Sequence, residues 1–408
     1  MEEIEAPQYF LCPISLQIMQ DPVTAVTGIT YDRESIEQWL KTAKDTTCPV
    51  TKQLLPRDSD LTPNHTLLRL IQAWCITNAK YGIDRIPTPK SPLNKSYVLG
   101  LIRDLEDDHL CVVAVKKLEA LAKENERNRK CMEQAGVAKA MASFMVRCFK
   151  AGRVISVLEE ALSILHLTWS QSDEIKGLVN QNHDFIDSLT WVLRLSEIGN
   201  DQVVVKTKAL LVLKQVMEVA KTSLQERLKP EFFKEITGFL RKRISQQATK
   251  SALQILAEAC PWGRNRLKIV EDNTVFQLIE LELEKPDKNI SELIFNLLAK
   301  LCSCADGRAQ FLSHAGGIAM VSKRILRVSP AVDEPAVQIL SSISMFSATD
   351  EVLLEMLRVG AVTKLCMVIQ ADCAAHLKER ARETLRLHCS VWNNSPCIAV
   401  YLLTRYQR

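Results

Sequence analysis

The chain has 408 residues, 47% hydrophobic and 25% charged, with a net charge of +4, the balance of a globular protein of two or three domains. No apolar run approaches the roughly 18–20 residues that cross a bilayer, and the acidic start MEEIEAPQYF lacks the basic and apolar stretches of a secretory signal. Residues 1–78 hold six Lys/Arg against ten Asp/Glu, a net −4 that leaves +8 for the rest, without the basic stripes and interleaved aromatics of a nucleic-acid surface.

Thirteen cysteines without a framework spacing read as reduced thiols, so a cytoplasmic and partly nuclear protein is expected. In chain order, FLCPISLQIMQDP predicts a loop. TAVTGITYD predicts a hairpin turning at Thr27-Gly28, where glycine accepts a positive φ. Asp32 stands as N-cap to a helix over RESIEQWLKTAK, with Ile36, Trp39 and Leu40 at helical spacing. CPVTKQLLP is a second loop. A closing helix begins near Thr66, with Leu67, Leu70, Ile71 and Trp74 as its apolar face.

A unit this small is marginal without a staple. Its two loops have the outline of a zinc-binding RING, which opens with C-x2-C and closes with C-P-x-C. Each pair has lost a member, since Cys12 is followed by Ser15 and Cys48 by Thr51, and no other Cys or His lies between. A structural zinc site needs about four ligands, so no metal or other cofactor is expected. Asp21, Arg33, Glu37, Thr47, Thr51 and Asn64 are candidates for a polar network in its place, or else solvated surface. Cys12 and Cys48 read as small buried residues.

Taken together, CPISLQIMQDPV, TGITYDRESIEQWL, CPVTKQLL and LTPNHTLLRLIQAWC resemble the U-box, the metal-free relative of the RING. They are most similar to the U-box of plant ubiquitin ligases that carry armadillo repeats. The resemblance implies binding of a ubiquitin-conjugating enzyme charged with ubiquitin and transfer to a substrate lysine, with no covalent ligase intermediate. By motif position Ile14, Leu16, Trp39 and Pro49 are the expected conjugating-enzyme contacts. Lys52 falls where many RINGs place an arginine that bridges conjugating enzyme and ubiquitin. Lysine lacks the planar fork of donors, so it is either a weaker bridge or plain surface.

YGIDRIPTPKSPLNK, with three prolines, reads as a linker. Beyond it helical periodicity repeats. Leu118, Leu165, Leu213, Leu256, Leu298, Leu340 and Leu385, each near the middle of a long apolar helix, are spaced by 47, 48, 43, 42, 42 and 45 residues, the period of armadillo and HEAT repeats. Gly136, Asn273, Gly316 and Gly360 each precede an apolar helix and suit a left-handed residue between helices. The expected fold is mainly α: a small α+β, zinc-free RING-like U-box at 8–78, a linker at 79–96, an armadillo-type α-solenoid at 97–395 and a tail at 396–408.

Such a solenoid offers a concave face to protein substrates, where Asn296 is a candidate to hold a peptide backbone, its alternative being a solvent-facing or helix-satisfied asparagine. Cys302 and Cys304 read as packing residues, His314 and His388 carry no functional role, and Pro261 and Trp262 read as a helix stop and a buried anchor. The reading is a U-box ubiquitin ligase, in a plant stress or defence setting by resemblance, with homodimerisation left open. The alternative is a non-catalytic armadillo adaptor with a degenerate U-box. A carrier of nuclear cargo lacks support, because ordered Trp–Asn arrays are absent.

Overall fold

The computed structural model describes residues 6–42, 47–56, 59–79, 93–153, 156–170, 173–181, 183–195, 202–262 and 264–392, with 396 and 398. The chain divides into two compact units, Met1–Pro92 and Leu93–Arg408. Most of the expected linker and tail lies outside the described residues. Lys95 and Ser96 already belong to a helix, and Ile398 is buried with the core of the second unit.

In the first unit, strands β1 (Pro22–Thr24), β2 (Thr30–Asp32) and β3 (Thr62–Pro63) form an antiparallel sheet in the order β2-β1-β3. The β1–β2 hairpin turns through Gly28 at φ +79°, a conformation that glycine adopts without strain. Helix α1 (Arg33–Thr42) buries Ile36 and Leu40, and α2 (His65–Thr77) buries Leu68, Ile71 and Cys75. The expected face of α2 needs one correction: Leu70 is exposed, and its place is taken by Leu68 and Cys75 at helical spacing with Ile71. Phe10, Met19, Val23, Tyr31 and Leu55 complete the core.

The second unit opens with α3 (Lys95–Asp104) and α4 (Cys111–Glu124). Triplets of helices follow. They are α5 (Glu126–Gln134), α6 (Val137–Ala151) and α7 (Leu158–Thr168), then α8 (Asp173–Gln181), α9 (His183–Arg194) and α10 (Gln202–Val219). Next come α11 (Thr222–Gln225), α12 (Pro230–Lys242) and α13 (Gln246–Ala259), then α14 (Asn265–Glu271), α15 (Thr274–Leu283) and α16 (Lys288–Leu301). The last are α17 (Ala305–Ser313), α18 (Gly317–Arg324) and α19 (Pro330–Phe346), then α20 (Asp350–Arg358), α21 (Ala361–Gln370) and α22 (Ala375–Leu387), closed by α23 (Cys389–Trp392).

The third helices stack as one row, α4-α7-α10-α13-α16-α19-α22, and the second helices as another, α6-α9-α12-α15-α18-α21. All seven repeat leucines fall in the first row and all are buried. Apolar faces that a lone repeat would leave wet thus share one core. Polar bonds repeat with the same period. Lys268 Nζ donates to the Leu228 carbonyl, Gln310 Nε2 to Val270 and Lys364 Nζ to Ile325, spanning 40, 40 and 39 residues.

Gly136, Asn273 and Gly360 are left-handed at φ +77°, +59° and +78°, as expected between helices. Gly316 is not: its φ is −95°, because the His314 ring closes that turn, with Nδ1 accepting the Gly316 N–H at 3.0 Å. Trp262 is half-buried rather than a buried anchor. Asn265 fills that role, fully buried with Nδ2 donating to the carbonyls of Gln225 and Ala259.

Candidate functional site

The two cysteine loops are built alike. In CPISLQ, Cys12 N–H donates to the Gln17 carbonyl and Leu16 N–H to the Cys12 carbonyl, both at 2.8 Å. In CPVTKQ, Cys48 N–H donates to Gln53 at 2.8 Å and Lys52 N–H to Cys48 at 3.0 Å. Single antiparallel bridges, Leu11 with Ile18 and Thr47 with Leu54, close the two loops.

Consecutive residues of β2 hold them. Asp32 N–H reaches Cys12 Sγ at 3.3 Å, and the Tyr31 hydroxyl meets Cys48 Sγ at 2.9 Å. Burial pushes the Cys12 thiol up, but the backbone N–H groups of Ser15, Asp32 and Ile14 outweigh it and bring the thiol below its ordinary value. Cys48 is likewise raised by burial, yet the hydroxyls of Thr27, Thr51 and Tyr31 and the Thr51 N–H lower it to about 6. Among the described residues, no group of three or more His, Cys, Asp or Glu could hold a metal ion.

Asp32 does not cap α1 as expected. Its Oδ1 accepts the N–H groups of Gln20 and Asp21 at 2.8 and 3.0 Å, tying the first loop to the sheet. Of the six candidate network residues, Asp21 pairs with Arg33 at 2.5 Å, and Arg33 lies 4.0 Å from Glu37. Asn64 belongs to a separate group: Oδ1 caps α2 through the Leu67 N–H at 3.0 Å, and Nδ2 faces the Thr24 and Thr30 hydroxyls. Thr47 contributes its carbonyl, which accepts from Trp39 Nε1 at 3.0 Å. Thr51 contributes its N–H to Cys48 Sγ.

Leu16 is 74% exposed, while Ile14 and Trp39 are half-buried against the core and Pro49 is half-buried. Lys52 is exposed, at φ +59°. Sequence reasoning missed Leu54, which is 73% exposed beside fully buried Leu55. The out-then-in alternation of an extended segment was the signal available for it. In the second unit, Asn296 is exposed on α16 and lines a groove with Lys214, Gln254, Glu258, Leu293 and Lys300 from α10, α13 and α16.

This geometry defines a U-box joined to an armadillo-type stack. The U-box domain family matches residues 6–80, and the plant U-box protein ARM repeat region matches residues 98–408. The chain is 44% identical to E3 ubiquitin-protein ligase PUB23 of Arabidopsis thaliana, over 99% of this chain and 98% of that one. It is 42% identical to E3 ubiquitin-protein ligase PUB22 of the same plant, over 99% of both. An engineered protein of known crystal structure, 14% identical, shares its fold at a TM-score of 0.51 over 86% of this chain and 78% of that one. The chain belongs to the plant family of U-box E3 ubiquitin-protein ligases with armadillo repeats.

Proposed function

We propose that the U-box loops of this protein dock a ubiquitin-charged conjugating enzyme, while the armadillo stack recruits the substrate whose lysine receives ubiquitin. The observation that carries this reading is the exposure of Leu16, 74%, in a loop whose backbone is fixed on both sides by hydrogen bonds. An apolar side chain held outward on a rigid loop is a ready anchor for a partner, and a few such anchors dominate small interfaces. Ile14, Trp39 and Pro49 complete the patch. Lys52 extends the second loop toward where ubiquitin would sit. The ligase supplies no nucleophile; it acts by orienting the thioester for attack. Asn296 and its groove hold the substrate segment. The proposed setting is the cytoplasm and in part the nucleus, on the reading of the cysteines as reduced thiols, and stress or defence signalling, on the resemblance to the plant family.

The test is self-ubiquitination of purified protein with ubiquitin, activating enzyme and a panel of conjugating enzymes, with and without a strong zinc chelator. Activity is expected to survive chelation and to fall at least about tenfold in Ile14→Ala, the loss of one interface anchor. A folded wild type that is inactive with every conjugating enzyme would establish the adaptor instead.

A further inference from the structure

Cys48 Sγ is fully buried where donors from three places converge: the Tyr31 hydroxyl of β2 at 2.9 Å, the Thr27 hydroxyl of the hairpin turn at 3.5 Å, and the Thr51 N–H of its own loop at 3.4 Å. The Thr51 hydroxyl is a fourth. Tyr31 is itself fully buried, and the Val50 N–H faces its oxygen, which leaves the hydroxyl proton free to point at the sulfur. A neutral thiol is a weak acceptor, poorly matched to four donors. A thiolate is a strong one, and hydrogen bonds to the charged form offset its burial.

We propose that Cys48 is a positioning residue that holds the second loop as a buried thiolate, its negative sulfur gathering protein donors where a RING loop would be gathered by metal. Its consequence for ubiquitin transfer rests on the ligase reading above, since the same loop presents Pro49 and Lys52. Among the described residues, Tyr31 is the titratable group that meets the sulfur, at 2.9 Å, and Cys12 of the first loop acts on Tyr31 in turn. Burial and the neighbouring sulfur push Tyr31 up, so it stays a donor throughout. As pH falls through about 6 the thiolate takes a proton and the loop loses its anchor.

The experiment titrates the thiolate ultraviolet absorbance of the full-length protein, wild type against Cys48→Ser and Tyr31→Phe, alongside conjugating-enzyme affinity over the same pH range. The expected wild-type minus Cys48→Ser difference is a step near pH 6, displaced upward by about one unit in Tyr31→Phe through loss of a donor. Affinity should fall with that step in wild type and show no such step in Cys48→Ser. If Cys48→Ser fails to fold, the Tyr31→Phe displacement decides alone, and an unmoved titration overturns the proposal. A difference step no lower than an ordinary thiol, about 8.5, also overturns it, whatever the ligase activity. A step near 6 in a folded protein that is inactive with every conjugating enzyme supports the thiolate and sinks the ligase reading instead.

Discussion

Leu16 and Lys52 occupy the same place in the two loops: each is left-handed, at φ +58° and +59°, and each donates its N–H to the carbonyl of its own cysteine four residues back. For a residue with a Cβ that conformation costs about 1–2 kcal/mol, and both loops bear it to turn a side chain outward. Glycine at 52 would remove the strain while adding unfolded-state entropy of similar size, so Lys52→Gly should change stability by less than about 1 kcal/mol. Lys52→Val, β-branched at a positive φ, should cost about 1–2 kcal/mol. Urea unfolding of the pair checks the backbone account. Self-ubiquitination of the stable Lys52→Gly variant isolates the side chain, and Lys52→Arg should raise the rate if bridging is its role.

Asn64 joins helix capping to the sheet, with the cap the stronger contact: 3.0 Å to the Leu67 N–H against 3.5 Å to the Thr24 and Thr30 hydroxyls. Asn64→Ala should therefore destabilise the U-box by about 1–2 kcal/mol. Asn64→Asp retains a capping oxygen and should recover most of that. Thermal unfolding followed on the full chain distinguishes the two.

The Asp21–Arg33 pair should respond differently to its two halves. Arg33 is 14% exposed and Asp21 33%, so the guanidinium is the more costly group to strand. Asp21→Asn should cost about 2 kcal/mol, in the range of a charge-assisted bond. Arg33→Lys should recover little relative to Arg33→Met, because the geometry uses Arg33 Nε, which lysine lacks.

The solenoid was legible because its period is written in apolar residues: the leucines spaced by 42–48 residues all lie in one helical row. The U-box elements were legible from turn and helix chemistry at Gly28 and in α1. What stayed hidden were bonds between segments far apart in sequence. Asp32 looks like an N-cap from its neighbours alone, and only the folded chain brings the Gln20 and Asp21 N–H groups within its reach, 12 and 11 residues away. Tyr31 likewise gives no local sign that its hydroxyl will meet Cys48, 17 residues on.

Glu282 lies fully buried in the second unit, with Oε1 held by Arg324 at 2.7 Å and Ser291 at 3.1 Å, and Oε2 without a hydrogen-bond partner among the described residues. Burial pushes its carboxyl up, and Arg324 and Ser291 offset only part of that. A carboxyl raised on folding keeps its proton after the unfolded chain has lost it. Its contribution to stability therefore declines as pH rises from the ordinary glutamate value to the raised one. Arg324→Met strands the carboxylate and should cost about 3–5 kcal/mol at neutral pH. The cost should shrink as pH falls toward the raised value and the carboxyl takes up its proton. Glu282→Gln should flatten that pH dependence. Urea midpoints for both variants at two pH values provide the check.

The turn at Gly316-Gly317 separates two uses of glycine that sequence alone renders identical. A Cβ at Gly317 would sit 2.9 Å from the Phe311 carbonyl oxygen and 3.2 Å from its ring. Phe311 is fully buried, and the closest contact is with its backbone carbonyl, which cannot swing aside as a side-chain end can. Gly317→Ala should thus cost about 1–3 kcal/mol, the range for overpacking. At Gly316 the nearest atom to a Cβ is His314 Cε1 at 3.4 Å, and the backbone is right-handed, so Gly316→Ala should stay within about 0.5 kcal/mol of wild type. His314→Ala removes the acceptor of the Gly316 N–H and the 2.8 Å contact from Nε2 to Glu280, and should cost about 1–2 kcal/mol. Equal losses at 316 and 317 in thermal unfolding would mean that the turn requires glycine for its backbone rather than for the space above Phe311.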